Sequence, residues 1–235
     1  MGHYQRASVF GMMRTCGVVL TALSLIAATE VLAASAQATA DCPGDPGIDH
    51  EIELKIDIPK PRLHHDLSIA ELGRRAPHGP GKRVLGLADT ALEFGWAVRF
   101  EWQPRGAGYC FWVRRTELAI RHPSPDIYVA REYRRGSCPY RAILAHERQH
   151  MNTSRAQINR FLPRLRWVLT SLRIPTGERP IFVTSAEAAK TEVRALMKEL
   201  AESLFREIGQ ALRAAQAKLD SPASYRRLRK ACKNW

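Results

Sequence analysis

The hydrophobic pattern of this chain changes period once, near residue 136, and that change limits the fold more than any other feature. Before it the period is two. Ile52, Leu54, Ile56 and Ile58 alternate with Glu51, Glu53, Lys55 and Asp57. This predicts a half-buried strand over 51–58, ended by Pro59 and Pro61. Leu92, Phe94, Trp96, Val98, Phe100 and Trp102 alternate in the same way. The chain turns at 104–108 and returns over 110–120, so 91–120 reads as a hairpin, with a further short strand over 126–132. Between these strands, Ser68 and Glu71 form a capping box that opens a short helix over 69–74. After residue 136 the period is 3.6. Ser137 caps a long helix with Pro139 in its first turn, and Pro163 is expected to kink or interrupt it near 159–162. Thr184 and Glu187 read as a second capping box, opening a helix that carries Val193, Met197, Leu200, Leu204, Ile208 and Leu212 on one stripe to about residue 219. Asp220, Ser221 and Pro222 stop it, and a short basic helix follows over 224–233. Strands first and helices second make an α+β layout: a small, mostly antiparallel sheet followed by a long helix and a long C-terminal helix.

The first long helix carries His146, Glu147, Arg148, Gln149 and His150, an H-E-x-x-H motif. Positions i and i+4 lie one turn apart on the same side of a helix. Two imidazoles so placed can hold one Zn²⁺, with the glutamate beside the open coordination position as general base. With His146 at 0° and a turn of about 100° per residue, the apolar residues Ile143, Leu144, Met151, Ile158, Phe161, Leu162, Leu165 and Leu169 fall roughly between 40° and 160°. Glu147 lies near 100°, inside that stripe, and His150 near 40°, at its edge. Arg148 and Gln149 fall on the other side. A buried carboxylate needs a partner, and a metal with its water would be one. A Glu–His pair inside a helical core is the alternative.

Arg6 and Arg14 precede an apolar run over 16–34 that only Glu30 interrupts, and Ala38, Thr39 and Ala40 form a small-x-small site. Residues 1–40 therefore read as a secretory signal peptide, and 41–235 as one domain. No later stretch is apolar enough for a membrane anchor, so a periplasmic or secreted location is expected. Four cysteines follow the signal: Cys42, Cys110, Cys138 and Cys232. An even count in an exported chain points to two disulfides. Three pairings are possible; Cys110–Cys138 with Cys42–Cys232 is preferred, fastening a strand to the motif helix and one chain end to the other. No C-x₂₋₄-C pair is present, which argues against a Cys₄ zinc site. The net charge of +13 falls to +12 once two arginines and one glutamate leave with residues 1–40. Such a balance attracts anionic envelope polymers or headgroups, and export argues against nucleic acid.

The motif and its setting resemble the zincin metallopeptidases, in which a sheet precedes the active-site helix. Arg148 departs from the uncharged middle usual there. An exported chain, paired strands, a cysteine shortly before the motif (Cys138, Pro139, Tyr140 through His150) and long helices after it look like the bacterial group of predicted secreted zinc-dependent proteases. The resemblance implies a zincin-like fold, Zn²⁺ as cofactor, His146 and His150 as ligands, and Glu147 as general base. It also implies that the strand before the helix, here 126–132, pairs with extended substrate along its edge. Zincins need a third protein ligand. The metzincin continuation is absent, because Thr153 and Ala156 stand at its Gly and His positions. The gluzincin arrangement points to a glutamate on the following helix, with Glu187 preferred over Glu192; His122 and the pair His64 and His65 are weaker candidates. Zincins also place a Tyr or His beside the oxyanion, for which Tyr128, Tyr133 and Tyr140 are candidates. The function expected is an exported zinc-dependent hydrolase acting on peptide or protein in the cell envelope. The alternative is a basic envelope-binding module in which the His-Glu-His face is structural or binds metal without turnover.

Overall fold

A computed structural model describes residues 42–45, 47, 49–76 and 83–235, with the backbone of 5–7. The apolar run and cleavage site of the expected signal peptide lie outside the described residues. The elements in chain order are β1 (Gln5–Ala7), β2 (Glu51–Asp57), β3 (Arg62–His64), α1 (Ile69–Arg75), β4 (Gly86–Ala88), β5 (Glu93–Arg105), β6 (Gly108–Arg121), β7 (Asp126–Val129), α2 (Cys138–Thr170), β8 (Ile181–Val183), α3 (Ala186–Leu219) and α4 (Pro222–Lys230). Among the described residues the class is α+β, with two small sheets and four helices. The chain gathers into two compact units, each built from three separate stretches.

The first unit comprises Met1–Lys55, Phe94–Ala119 and Arg166–Glu202. Its sheet runs β1-β5-β6-β2, with β8 antiparallel to β6. The expected hairpin forms β5 and β6, turning through Gly106, whose φ of 54° suits a residue without Cβ. Phe94, Trp96 and Val98 are buried as the alternation requires, but the pattern fades along β5, and Trp102 is 42% exposed under the Lys190 ammonium. Cys42 and Cys110 join beneath Trp112 and Phe182.

The second unit comprises Ile56–Glu93, Ile120–Leu165 and Ser203–Trp235. Its sheet is β3-β7-β4, with β7 parallel to β3 and antiparallel to β4. The short strand before the motif helix is therefore central, not an edge. Both of its hydrogen-bonding sides are taken, and all four of its residues are buried. Its side chains alternate between faces. Tyr128 joins Leu72 of α1 and Val84, while Val129 joins Tyr140 and Ile143 of α2. The capping box of α1 forms as expected: Ser68 Oγ accepts from Glu71 N–H, and Glu71 accepts from Ser68 N–H.

Three further expectations change. The disulfides are Cys42–Cys110 and Cys138–Cys232, not the preferred pairing. Each joins cysteines of one unit, so the chain ends are not tied together. Pro163 does not interrupt α2, which runs on to Thr170. The missing N–H costs one hydrogen bond, while Ile158 and Leu165, 0% and 1% exposed, anchor the helix on both sides of it. At the start of α3 the cap is Ser185, whose Oγ accepts from Ala188 N–H, so Thr184 and Glu187 do not form a box. The bridges enclose 68 and 94 residues of sequence. Loops of that size leave the unfolded chain much less freedom, so replacing either pair by serine lowers unfolding free energy by about 2–5 kcal/mol. Urea denaturation measures the loss, and peptide mapping without reductant should yield the Cys42–Cys110 and Cys138–Cys232 peptides.

Candidate metal centre

Two helical i, i+4 pairs face each other inside the second unit. On α2, His146 and His150 stand one turn apart, 6% and 8% exposed, with Glu147 at 6% between them in sequence. Arg148 and Gln149 are exposed, as the helical phase requires. On the opposing helix, Gln216 and Asp220 occupy the corresponding spacing, and Asp220 N–H still donates to Gln216 O, so the helical turn is intact there. Arg164 pairs with Glu207 farther along. The helices thus run antiparallel, and the start of α2 meets the end of α3.

This crossing brings three donor atoms together. His146 Nε2 and His150 Nε2 are 3.2 Å apart. Asp220 Oδ1 lies 3.4 Å from the first and 3.2 Å from the second. Two ligands each about 2.05 Å from one tetrahedral centre are separated by about 3.3 Å, whereas a right-angled octahedral pair is separated by about 2.9 Å. The three atoms fit three corners of a tetrahedron of zinc size. The Asp220 side chain is 45% exposed while the histidines are buried, so the fourth corner can face solvent on that side.

The neighbours of the three donors are ordered. Tyr225, in the first turn of α4, donates its hydroxyl to Asp220 Oδ1 at 2.9 Å, and its ring lies 5.6 Å from that of His146. Burial and the Asp220 hydrogen bond both push the Tyr225 hydroxyl above the usual phenol range. Burial works to raise the Asp220 carboxyl, but hydrogen bonds from His146 and His150 outweigh it and hold the group well below the carboxylate range. Burial likewise works against the charged form of His150, yet its bonds to Asp220 and Gln216 raise it. Burial dominates at Glu147 and carries its carboxyl up to about 7, against the pull of His150, His146 and the backbone of Ala88. A carboxyl poised near neutrality suits a general base or acid.

β4 is the outer strand beside this glutamate. Gly86 has no room for a side chain: a Cβ there would lie 2.5 Å from Ile143 Cγ2 and 2.7 Å from Glu147 Oε1. Asp89 N–H and Leu85 O bond to Asp126 O and Ala130 N–H around β7. Alternation along the strand then turns the backbone groups of Gly86 and Ala88 away from β7, and Ala88 bonds Glu147.

The carboxylate that lies with the two histidines is Asp220. Glu187 opens α3 in the other unit, 77% exposed and bonded to Lys190. Glu192 is also exposed. His64 bonds Asp126 and stacks on Tyr128, His65 bonds Tyr133 O, and His122 bonds Asp89 O. Each has a structural partner, and none joins the motif. The candidate tyrosines are also placed elsewhere. Tyr128 bonds Arg75, Tyr140 packs with Val129 and Ile143, and Tyr133 packs beside Trp235. Tyr225 was not among them. A phenol five residues after Asp220, across a Ser-Pro helix start, was the available signal.

The chain matches no protein-family model, no curated protein and no solved structure. The crowding at Gly86 has a measurable consequence. Gly86→Ala should lower the urea unfolding free energy by about 1–3 kcal/mol through overpacking against Glu147. Gly73→Ala, with nothing within 4 Å of its Cβ and a helical setting, should stabilise by about 0.5–1 kcal/mol. Equal effects at the two positions would contradict the close approach of β4 to Glu147.

Proposed function

We propose that the chain is an exported zinc-dependent peptidase in which His146, His150 and Asp220 hold the metal and Glu147 is the general base. The observation that carries this reading is the 3.2–3.4 Å spacing of the three donor atoms. It matches tetrahedral zinc better than the right-angled edges of a six-coordinate iron site built from the same residue types. Zinc held there supplies a Lewis acid for the scissile carbonyl and lowers the pKa of water. Glu147 takes the water proton on its carboxylate and delivers it to the leaving amine. Its high intrinsic proton affinity, set by burial, favours the first of these transfers. Tyr225 presents a phenolic donor beside the site, placed to hydrogen-bond the oxygen that gains charge as the carbonyl carbon becomes tetrahedral. An extended substrate pairs with the outward backbone groups of β4 that Glu147 does not take, the role first expected of the 126–132 strand. Two disulfides accord with an oxidising compartment, and none of the described helices is long and apolar enough to cross a membrane.

A second reading has its own observation. Arg141, Arg148 and Arg155 follow one another at intervals of seven on the exposed side of α2, whose sole acidic residue is the buried Glu147. That stripe favours docking on anionic envelope polymers, with or without hydrolysis.

Metal content separates the readings. Elemental mass spectrometry of purified protein should find one zinc per chain, lost in His146→Ala, His150→Ala and Asp220→Ala and retained in Glu187→Gln. Glu147→Gln should keep the zinc and lose at least about 100-fold in peptide hydrolysis. Folded protein without metal, or zinc that depends on Glu187 and not on Asp220, would refute the assignment. Unchanged, salt-sensitive polymer binding in Glu147→Gln with no hydrolysis in either form would favour the binding module.

A further inference from the structure

One side chain beside the site is bound on every polar atom, yet it is no metal ligand. Gln216 occupies an inward slot of α3, four residues after Leu212 on the stripe that includes Ile208. Apolar residues fill the preceding positions of that stripe, so an amide here needs a reason. Its Nε2 donates to His150 O at 3.1 Å and to Ser154 Oγ at 2.8 Å. Ser154 is 3% exposed, so this anchor is out of water. Both amide hydrogens are then spent. The remaining atom, Oε1, faces His150 Nδ1 at 2.5 Å.

The orientation of the amide follows from the main chain. A flipped amide would set its oxygen against the carbonyl oxygen of His150, two acceptors with no proton between them. The unflipped amide therefore offers an acceptor to Nδ1, and Nδ1 must carry the hydrogen. In a neutral imidazole with a proton on Nδ1, the lone pair is on Nε2. Nε2 is the atom 3.2 Å from both His146 Nε2 and Asp220 Oδ1.

We infer that Gln216 is a positioning residue. It keeps a proton on His150 Nδ1 and clamps its ring to the helix backbone, so that Nε2 is the nitrogen left for a metal beside Asp220. The inference rests on the zinc reading for its purpose but not for its geometry. Ser154 is the second half of the clamp, since it holds the amide that holds the ring. Hydrogen bonds of this kind to the remote nitrogen of a ligating histidine govern metal affinity by about 10–100-fold.

Two measurements test it on the full-length mature chain. Ring-nitrogen NMR of the metal-free protein should find His150 Nδ1 protonated even at a pH where the ring is neutral, and Gln216→Met should move the neutral ring to a mixture or to Nε2–H. Zinc affinity, read by competition with a chromophoric chelator, should fall about 10–100-fold in Gln216→Met and recover most of that loss in Gln216→Glu, whose carboxylate still accepts from Nδ1. A residue that merely fills space predicts the reverse order, because methionine keeps the volume and glutamate places a charge in a half-buried slot. Wild-type affinity in Gln216→Met, a Gln216→Glu weaker than Gln216→Met, or an Nε2–H tautomer in the wild type would overturn the inference. If the wild type takes up no zinc at all, the peptidase reading falls, and the tautomer measurement still decides the role of Gln216.

Discussion

The register between α2 and the end of α3 is the constraint on which the second unit depends. Three polar side chains, His146, Glu147 and His150, sit at 6–8% exposure in a helix face otherwise filled by Ile143, Ile158 and Leu165. Burying such groups without partners costs several kcal/mol each. The two imidazoles are satisfied only if Gln216 lies against His150 and Asp220 reaches both rings. A slip of one residue between the helices would strand both rings at once. The apolar contacts supply most of the attraction, but they tolerate sliding. The polar cluster does not, and so it selects one alignment from many that are similar in buried area.

Much of the local structure could be read from the residues, because strand and helix periods are local properties. The strand at β2, the hairpin, the capping box of α1 and the buried face of the motif helix all appeared where the alternation or the 3.6-residue stripe placed them. Pairings between distant segments could not be read in the same way. Alternation at 126–132 announces a strand but does not say how many neighbours it has, and β7 turned out to have two. Four cysteines admit three pairings, and nothing local distinguishes them. That Asp220, at the end of α3, lies with the two histidines could not be read either, because helical phase gives the face of a helix but not its direction relative to another. Gln216 was the informative residue: a polar side chain in an inward position, with Asp220 four residues later, mirroring His146 and His150.

The sheet of the second unit explains why Glu147 is so strongly desolvated. β7 delivers Val129 to the α2 side, which draws Ile143 and the turn after it under the sheet. β4 then crosses so near to that turn that Gly86 has room for hydrogen alone. The glutamate is thus enclosed by a main chain and two rings, with one backbone N–H as its compensation. This enclosure, more than any neighbouring charge, sets its protonation.

The Cys138–Cys232 bridge has a further bearing on this site. Cys138 begins the helix that bears both histidines, eight residues before the first of them, and Cys232 lies twelve residues after Asp220 and seven after Tyr225. Sulfur therefore closes a covalent ring around the whole centre, while the Cys42–Cys110 bridge belongs to the other unit. In a chain still carrying thiols, α4 and its phenol are held by noncovalent contacts alone. The donors contributed from the C-terminal side then pay a larger entropic cost to meet the imidazoles. On the proposed zinc reading, metal binding is in this way joined to thiol oxidation, and a chain whose thiols are still reduced would be at its weakest as a metal binder.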